Sequence, residues 1–288
     1  MDKEQLLSNY AANLPDSRNR NHYISYARQF LESADALDKE GVVKYLKGLK
    51  RQKRSAGTID FAFRVIRTLF NVNKLDWPFH RGEGPQIGQR DEYKPALGLE
   101  LIKIMIDATK DGKLDTAPAC FLALSTTYGL RREEMCDLEP GDIDLKQSTI
   151  FISTVKKGRQ RYHLIPVEIK PYLETYDFIK RYRLDEMSQM FWRVVNGSGL
   201  EALKPKRLGW HTLRRPLLTG LIENGLNLFA AKAFLRWKSS ASELAMPARY
   251  YGNVVIGLEG TTVVTEEAKE DKEVFEKYHP FLSLWVKS

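Results

Sequence analysis

Residues 211–251 read HTLRRPLLTGLIENGLNLFAAKAFLRWKSSASELAMPARYY, and the rest of the chain is interpreted outward from them. Leu217, Leu218, Leu221 and Ile222 recur at helical spacing, so His211 and Arg214, three residues apart, share one face near the amino end of a helix. The helix dipole and the free N–H groups of that end favour an anion there. Pro216 fits a helix only in its first turn, which sets the expected helix start near Arg214 or Arg215. A second apolar run, Leu228, Phe229, Ala233, Phe234 and Leu235, leads to Trp237, and Tyr250 and Tyr251 follow.

The chain has 288 residues, enough for a sizeable core and for two domains. Lys and Arg number 45 against 37 Asp and Glu, a net charge of +8 that favours a polyanionic partner. Cys120 and Cys136 are too few for a disulfide framework and show no C-x-x-C spacing; they read as buried, reduced thiols of an intracellular protein. The start, MDKEQLLSNY, lacks the apolar core of a secretion signal, and no apolar run has the length of a membrane span. The five histidines form no H-x-x-x-H or His/Cys cluster, and no Gly-rich phosphate loop is present, so neither a metal nor a nucleotide cofactor is expected.

Up to about residue 76 the pattern is helical throughout. Tyr23, Ala27, Phe30 and Leu31 form one stripe, Val42, Val43, Leu46 and Leu49 a second, and Ile59, Phe63, Ile66, Leu69 and Phe70 a third, giving a bundle of three or four helices. Thr58, just after Gly57, reads as the N-cap of the last. Lys50, Arg51, Lys53 and Arg54 precede it, a basic cluster that suits either a solvated face or phosphate contacts. WPFHRGEGPQIGQRDEYK, residues 77–94, breaks the pattern and reads as a linker.

Helical spacing resumes at Leu97, Leu101, Ile102, Met105 and Ile106, and the apolar stretch APACFLALSTTYGL leads to Arg131, expected on a helix that ends at Pro140. Ile150–Ile152 and Tyr162–Val167 flank the turn KKGRQR as a hairpin or small three-stranded sheet with a basic tip. Residues 169–183 read as helical. The tail carries a charged helix, EEAKEDKEVFEKY, and an apolar end with Phe281, Leu282, Leu284 and Trp285, which docks either on its own domain or on a neighbouring subunit.

Arg131, Lys156, His211, Arg214, Trp237 and a tyrosine suit one reaction, attack on a phosphodiester without a metal. Arginine forks grip the non-bridging oxygens and neutralise charge that grows in the transition state. Tyrosine is the nucleophile, a flexible lysine protonates the leaving oxygen, and a histidine near neutral pKa moves the tyrosine proton.

In this order the residues resemble the catalytic boxes of the tyrosine recombinases, the phage-type integrase family. TYGLRREEMCDL resembles the first arginine box, with Arg131 as the arginine and Glu134 as its acidic partner. KKGRQR is similar to the K-x-G-x-x-R hairpin and points to Lys156, with Lys157 as the alternative. HTLRR resembles the second box, with His211 and Arg214, and FLRWK places Trp237 where the family has His or Trp. ARYYG supplies the nucleophile, Tyr250, with Tyr251 as the alternative because the interval from Trp237 is longer than the family's usual one.

The resemblance, over about residues 4–252, implies a mainly α protein with a small β-sheet: a helical core-binding domain at 1–78, a linker at 79–94 and an α+β catalytic domain at 95–252; the tail at 253–288 lies outside it and is the candidate subunit-exchange segment. The resemblance also implies an integrase of a virus or other mobile element, archaeal among the options. Such an enzyme acts in the cytoplasm, on the nucleoid, as a homotetramer on two double-stranded DNA sites, with no membrane partner and no cofactor. Lys50, Arg51, Lys53, Arg54 and Thr58 are the expected DNA contacts of the first domain. Two other readings remain, a type IB topoisomerase-like relaxing enzyme and a non-catalytic DNA-binding relative.

Overall fold

Asp2, Asp38 and Ser55 each stop an extended segment and accept a backbone N–H from Glu4, Gly41 and Thr58 respectively, so helices begin immediately after them. In the computed structural model, residues 2–17, 19–80, 83–84, 96–154, 160–202, 208–237 and 266–286 are described, the side chains of 266–269 excepted. They form two compact units, Met1–Tyr93 and Lys94–Ser288.

The first unit is a four-helix bundle: α1 (Lys3–Asn13), α2 (Arg20–Ser33), α3 (Lys39–Arg51) and α4 (Ala56–Val72). Phe30, Val42, Leu46, Ile66, Leu69 and Phe70 are buried at its centre. The cap of α4 differs from the expected one. Ser55 is the N-cap, and Thr58 lies one turn inside, with its hydroxyl 2.9 Å from the Ser55 hydroxyl. Two hydroxyl residues three apart offer the same local chemistry, and the extended φ/ψ of Ser55 decides between them. The core also reaches further than residue 78. Trp77 packs against Phe63 and Phe70, and Phe79, at the start of the expected linker, is buried beside it.

The second unit is organised around α6 (Thr116–Tyr128), apolar on every side and buried over most of its length. Helices α5 (Leu99–Lys110), α8 (Lys170–Glu174), α9 (Leu184–Gly197) and α10 (His211–Glu223) pack on it. A three-stranded antiparallel sheet, ordered β1 (Ile143–Asp144), β2 (Thr149–Ile152) and β3 (Arg161–Leu164), follows the short α7 (Arg132–Asp137). Ile150 and Ile152 point into the core, while Phe151 pairs with Tyr162 across the other face. Cys120 and Cys136 are both buried and are not joined in a disulfide.

Two helical expectations are corrected. Helix α8 ends at Glu174, where the Thr175 hydroxyl bonds back to the carbonyls of Pro171 and Tyr172, so 175–183 is not a helix. The next helix is α9, carried by Met187, Met190, Phe191, Val194 and Val195. Helix α10 begins at His211, not near Arg214, and Pro216 sits inside it. Proline leaves the carbonyl four residues earlier without its helical donor. That carbonyl, of Thr212, accepts the N–H of Leu97 at 3.2 Å instead, which joins the entry of the second unit to α10.

After α11 (Leu228–Phe234), the described chain resumes with α12 (Glu266–Glu273), a π turn at Val274–Tyr278 and a 3-10 turn at Leu282–Trp285. These segments belong to the second unit's own core: Trp285 is buried, donates to the Thr126 hydroxyl at 3.2 Å and meets the Tyr172 ring edge-on. His279 bonds the Thr127 carbonyl at 3.0 Å. Pro280 lies so close to α10 that a Cβ on Gly220 would stand 2.5 Å from it. Among the described residues, no helix is long and apolar enough to cross a membrane.

Candidate active site

The site grows from the end of α6. Gly129 turns the chain left-handed at φ +59°, and a Cβ there would meet Leu235 at 2.8 Å and Arg214 and Leu217 at 3.2 Å. Only glycine allows both the turn and the close approach of α10. The turn delivers Arg131, which is the N-cap of α7 and not a residue within a helix, as expected above. Glu134, in the first turn of α7, accepts the Arg131 backbone N–H at 2.9 Å and its guanidinium at 2.6 Å.

Glu134 is only 2% exposed, yet it faces three guanidiniums. Arg131 stands at 2.6 Å, Arg236 at 3.1 Å and Arg214 at 3.9 Å. Burial opposes ionisation of its carboxyl, but Arg236, the Arg131 amide, Arg214 and the Arg131 guanidinium together hold it below the usual carboxylate range.

Arg214 comes from the first turn of α10 and is nearly buried. Its two terminal nitrogens donate to the carbonyls of Gly129 and Leu235, and Trp237 lies over its guanidinium at 5.7 Å. Its Nε has no hydrogen-bond partner among the described residues. Burial, followed by the charges of Arg236 and Arg131, pulls its pKa down, with Glu134 opposing. Three buried or half-buried cations against one carboxylate leave a surplus of positive charge in a weakly solvated pocket. Burying charge without a partner is costly. The arrangement therefore favours a bound anion with two oxygens within reach of a guanidinium fork.

His211 starts the same helix three residues before Arg214 and is exposed. Arg131, Arg214 and Trp237 are thus brought together, with His211 on the same helical turn as Arg214. Lys156 and Lys157 fall between the paired ends Ile152 and Arg161 of β2 and β3, outside the described residues, as do Tyr250 and Tyr251. Lys50, Arg51, Lys53 and Arg54 are exposed at the α3–α4 turn.

The sequence reading did not single out Arg236, His163 or Asp271. Arg236 bonds Glu134, the Tyr128 carbonyl at 3.2 Å and His163 Nε2 at 3.0 Å. His163 Nδ1 meets the Asp271 carboxylate at 2.8 Å, and Asp271 also accepts from Arg161 at 2.6 Å and from the Leu164 N–H at 3.1 Å. Burial works against ionisation of Asp271, yet Arg161 and His163 keep its carboxyl below the usual range. These partners lie 73 to 110 residues apart, beyond the reach of periodicity or spacing in one sequence.

Comparison with known proteins gives the same assignment independently. The family model described as phage integrase family matches residues 97–250. Tyrosine recombinase XerA of Thermococcus onnurineus is 27% identical over 226 residues, covering 74% of this chain and 78% of that protein. Tyrosine recombinase XerD of Oceanobacillus iheyensis is 25% identical over 292 residues, covering 91% and 90%. In fold, the chain is similar to a lambda integrase dimer bound to a core site, with a TM-score of 0.66 at 14% identity, covering 89% of this chain and 100% of that one. It is equally similar to the Tn1549 transposon integrase in complex with transposon right end DNA, with a TM-score of 0.66 at 16% identity and coverage of 88% and 96%. The model match spans more than half of the sequence and contains the arginine pocket, so the chain belongs to the phage integrase family and is a tyrosine recombinase, an enzyme that cuts and rejoins DNA strands.

Proposed function

We propose that the protein binds double-stranded DNA and exchanges strands at specific sites through a 3′-phosphotyrosine intermediate. The observation that carries the proposal is the surplus of guanidinium charge around Glu134, which calls for a phosphate. Arg131 and Arg214 grip the non-bridging oxygens of the scissile phosphate, and Trp237, stacked on Arg214, holds that guanidinium in its plane. Tyr250 Oη attacks phosphorus while the bond to the 5′ oxygen breaks. His211 receives the tyrosine proton and Lys156 protonates the leaving oxygen. The 5′ hydroxyl of the partner strand then attacks the phosphotyrosine and releases the enzyme, so the bond energy is kept without ATP.

Lys50, Arg51, Lys53 and Arg54 contact backbone phosphates from the first unit, with Thr58 near them at the start of α4. The working assembly is a homotetramer on two DNA sites. Support comes from the family membership and from fold neighbours that were themselves crystallised on DNA, among them a lambda integrase tetramer bound to a Holliday junction.

A suicide-substrate assay tests the proposal. A nicked duplex carrying the cognate site is incubated in EDTA and run on a denaturing gel with wild type, Tyr250→Phe and Tyr251→Phe. An adduct lost only in Tyr250→Phe is expected; loss only in Tyr251→Phe moves the nucleophile by one residue. A verified site that is bound but never joined to the protein contradicts the reading. Exchange between two DNA molecules separates it from a relaxing enzyme.

A further inference from the structure

We propose that Arg236 is a positioning residue for strand cleavage: buried between Glu134 and His163, it fixes the carboxylate on which Arg131 and Arg214 depend. The proposal rests on the reading that those two arginines hold the scissile phosphate.

The backbone points to it first. Helix α11 ends in a Schellman motif, with the Arg236 N–H bonded to Ala233 O and the Trp237 N–H to Lys232 O, both at 2.9 Å. The position after the cap is left-handed there, and Arg236 adopts φ +57°. An L side chain takes this conformation at a cost, as the exposed Lys53 and Lys74 also do at their helix ends, so what sets Arg236 apart is where its side chain goes. The long side chain is entirely buried, 0% exposed, which is unfavourable for a guanidinium; its two terminal nitrogens are bonded, while its Nε has no hydrogen-bond partner among the described residues.

The bonds it makes connect the site to its frame. One terminal nitrogen donates to Glu134 and Tyr128 O, and the other to His163 Nε2. A guanidinium only donates, so His163 Nε2 must accept. The His163 proton therefore sits on Nδ1 and is given to Asp271, which is itself held by Arg161 and the Leu164 amide. A continuous line of hydrogen bonds runs from Asp271 in α12, through His163 and Arg236, to Glu134 and Arg131, and Arg214 is reached from Glu134 by an ion pair at 3.9 Å. The same turn also serves Arg214 directly, since Leu235 O accepts from it and Trp237 stacks on it. The backbone around Arg236 holds one arginine, and its side chain holds the carboxylate between all of them.

A purely structural residue predicts lost stability and unchanged chemistry per folded molecule. A positioning residue predicts a change in rate at saturating DNA. Arg236→Gly keeps the left-handed turn, and Arg236→Lys keeps the charge but cannot fork between Glu134 and His163. Both are compared with wild type in single-turnover adduct formation on a suicide substrate, alongside DNA affinity and the Nε–Hε signals of Arg131 and Arg214 in 15N NMR. Arg236→Gly is expected to slow adduct formation about 100-fold at saturating DNA, with affinity within about threefold of wild type and Arg236→Lys recovering part of the rate. The Arg131 and Arg214 signals are expected to shift and broaden in Arg236→Gly and less so in Arg236→Lys. A saturating rate for Arg236→Gly equal to wild type, or unchanged arginine signals, overturns the proposal. Should Arg236→Gly fail to fold, wild-type rate and signals in Arg236→Lys overturn it instead. Absence of any wild-type adduct on a bound cognate site counts against the phosphotyrosine reading, and the NMR comparison still decides the role of Arg236.

Discussion

Replacing Gly129 with alanine tests whether the α6 turn builds the arginine pocket. At φ +59° an alanine carries a strain of roughly 1 kcal/mol or more. Its methyl would also stand 2.8 Å from Leu235 Cδ2 and 3.2 Å from Leu217 Cδ2 and Arg214 Cγ. Leu217 and Leu235 are both fully buried and have no room to yield, so overpacking adds about 1–3 kcal/mol. The expected loss is about 2–4 kcal/mol, or roughly 5–15 °C in Tm for a unit of this size. Gly112 supplies the control. It has φ +71° and nothing within 4 Å of a Cβ, so Gly112→Ala carries the strain alone. Denaturant unfolding of the two variants isolates the packing contribution by difference. Because the methyl displaces Arg214, adduct formation by folded Gly129→Ala should also fall about 100-fold at saturating DNA, while Gly112→Ala cleaves normally. The reasoning is refuted if Gly129→Ala is no less stable than Gly112→Ala, or if it cleaves at the wild-type rate.

Two further perturbations address the tail and the buried histidines. Gly220→Ala improves helix propensity by about 1 kcal/mol, but its Cβ would stand 2.5 Å from Pro280. The variant should therefore melt lower and expose Trp285 to a fluorescence quencher; a raised Tm with Trp285 still shielded contradicts this docking. His163 and His279 are each held down to about 4 by burial, with Asp271 opposing in both cases and Arg161 and Arg236 reinforcing the shift at His163. Against an unfolded value near 6.5, the unfolded chain binds more protons between pH 6.5 and 4, so stability is full above 6.5 and declines on acidification by up to about 1.4 kcal/mol per pH unit per histidine. Urea unfolding at pH 7 and pH 5 should give a clearly lower free energy at pH 5, and equal values would place these side chains in water.

Much of the fold is written in local pattern. The stripes through Phe30, Leu46 and Ile66 specify the bundle, and the alternation of Ile150, Phe151 and Ile152 specifies a strand with one buried face. Family boxes made Arg131, Glu134, Arg214 and Trp237 legible because each lies in a short motif whose order along the chain is itself informative. What escaped depends on tertiary partners. Pro216 is tolerated in mid-helix because Leu97, more than a hundred residues earlier, donates to the carbonyl it frees. Arg236 follows a helix end as the exposed Lys53 and Lys74 do, and only the fold buries it between Glu134 and His163. Asp271 lies in a charged segment that resembles a solvated helix, and only the fold buries it against Arg161. Helix α9 is a different case. Its spacing of Met187, Met190, Phe191, Val194 and Val195 is a plain helical signal, legible in the sequence but not singled out in the reading of it, while Tyr176, Phe178 and Tyr182 just before it reach the core without forming a helix.

The central claim is that the arginine pocket serves a tyrosine that becomes covalently joined to DNA. The most direct measurement is mass spectrometry of the adduct: the protein–DNA complex trapped on a suicide substrate is digested with nuclease and protease, and the peptide carrying the nucleotide is sequenced. The account predicts a 3′-phosphate linked to Tyr250, formed in EDTA and absent from Arg214→Ala. A nucleotide attached through its 5′-phosphate, attached to a residue other than Tyr250 or Tyr251, or formed equally well by Arg214→Ala would contradict it.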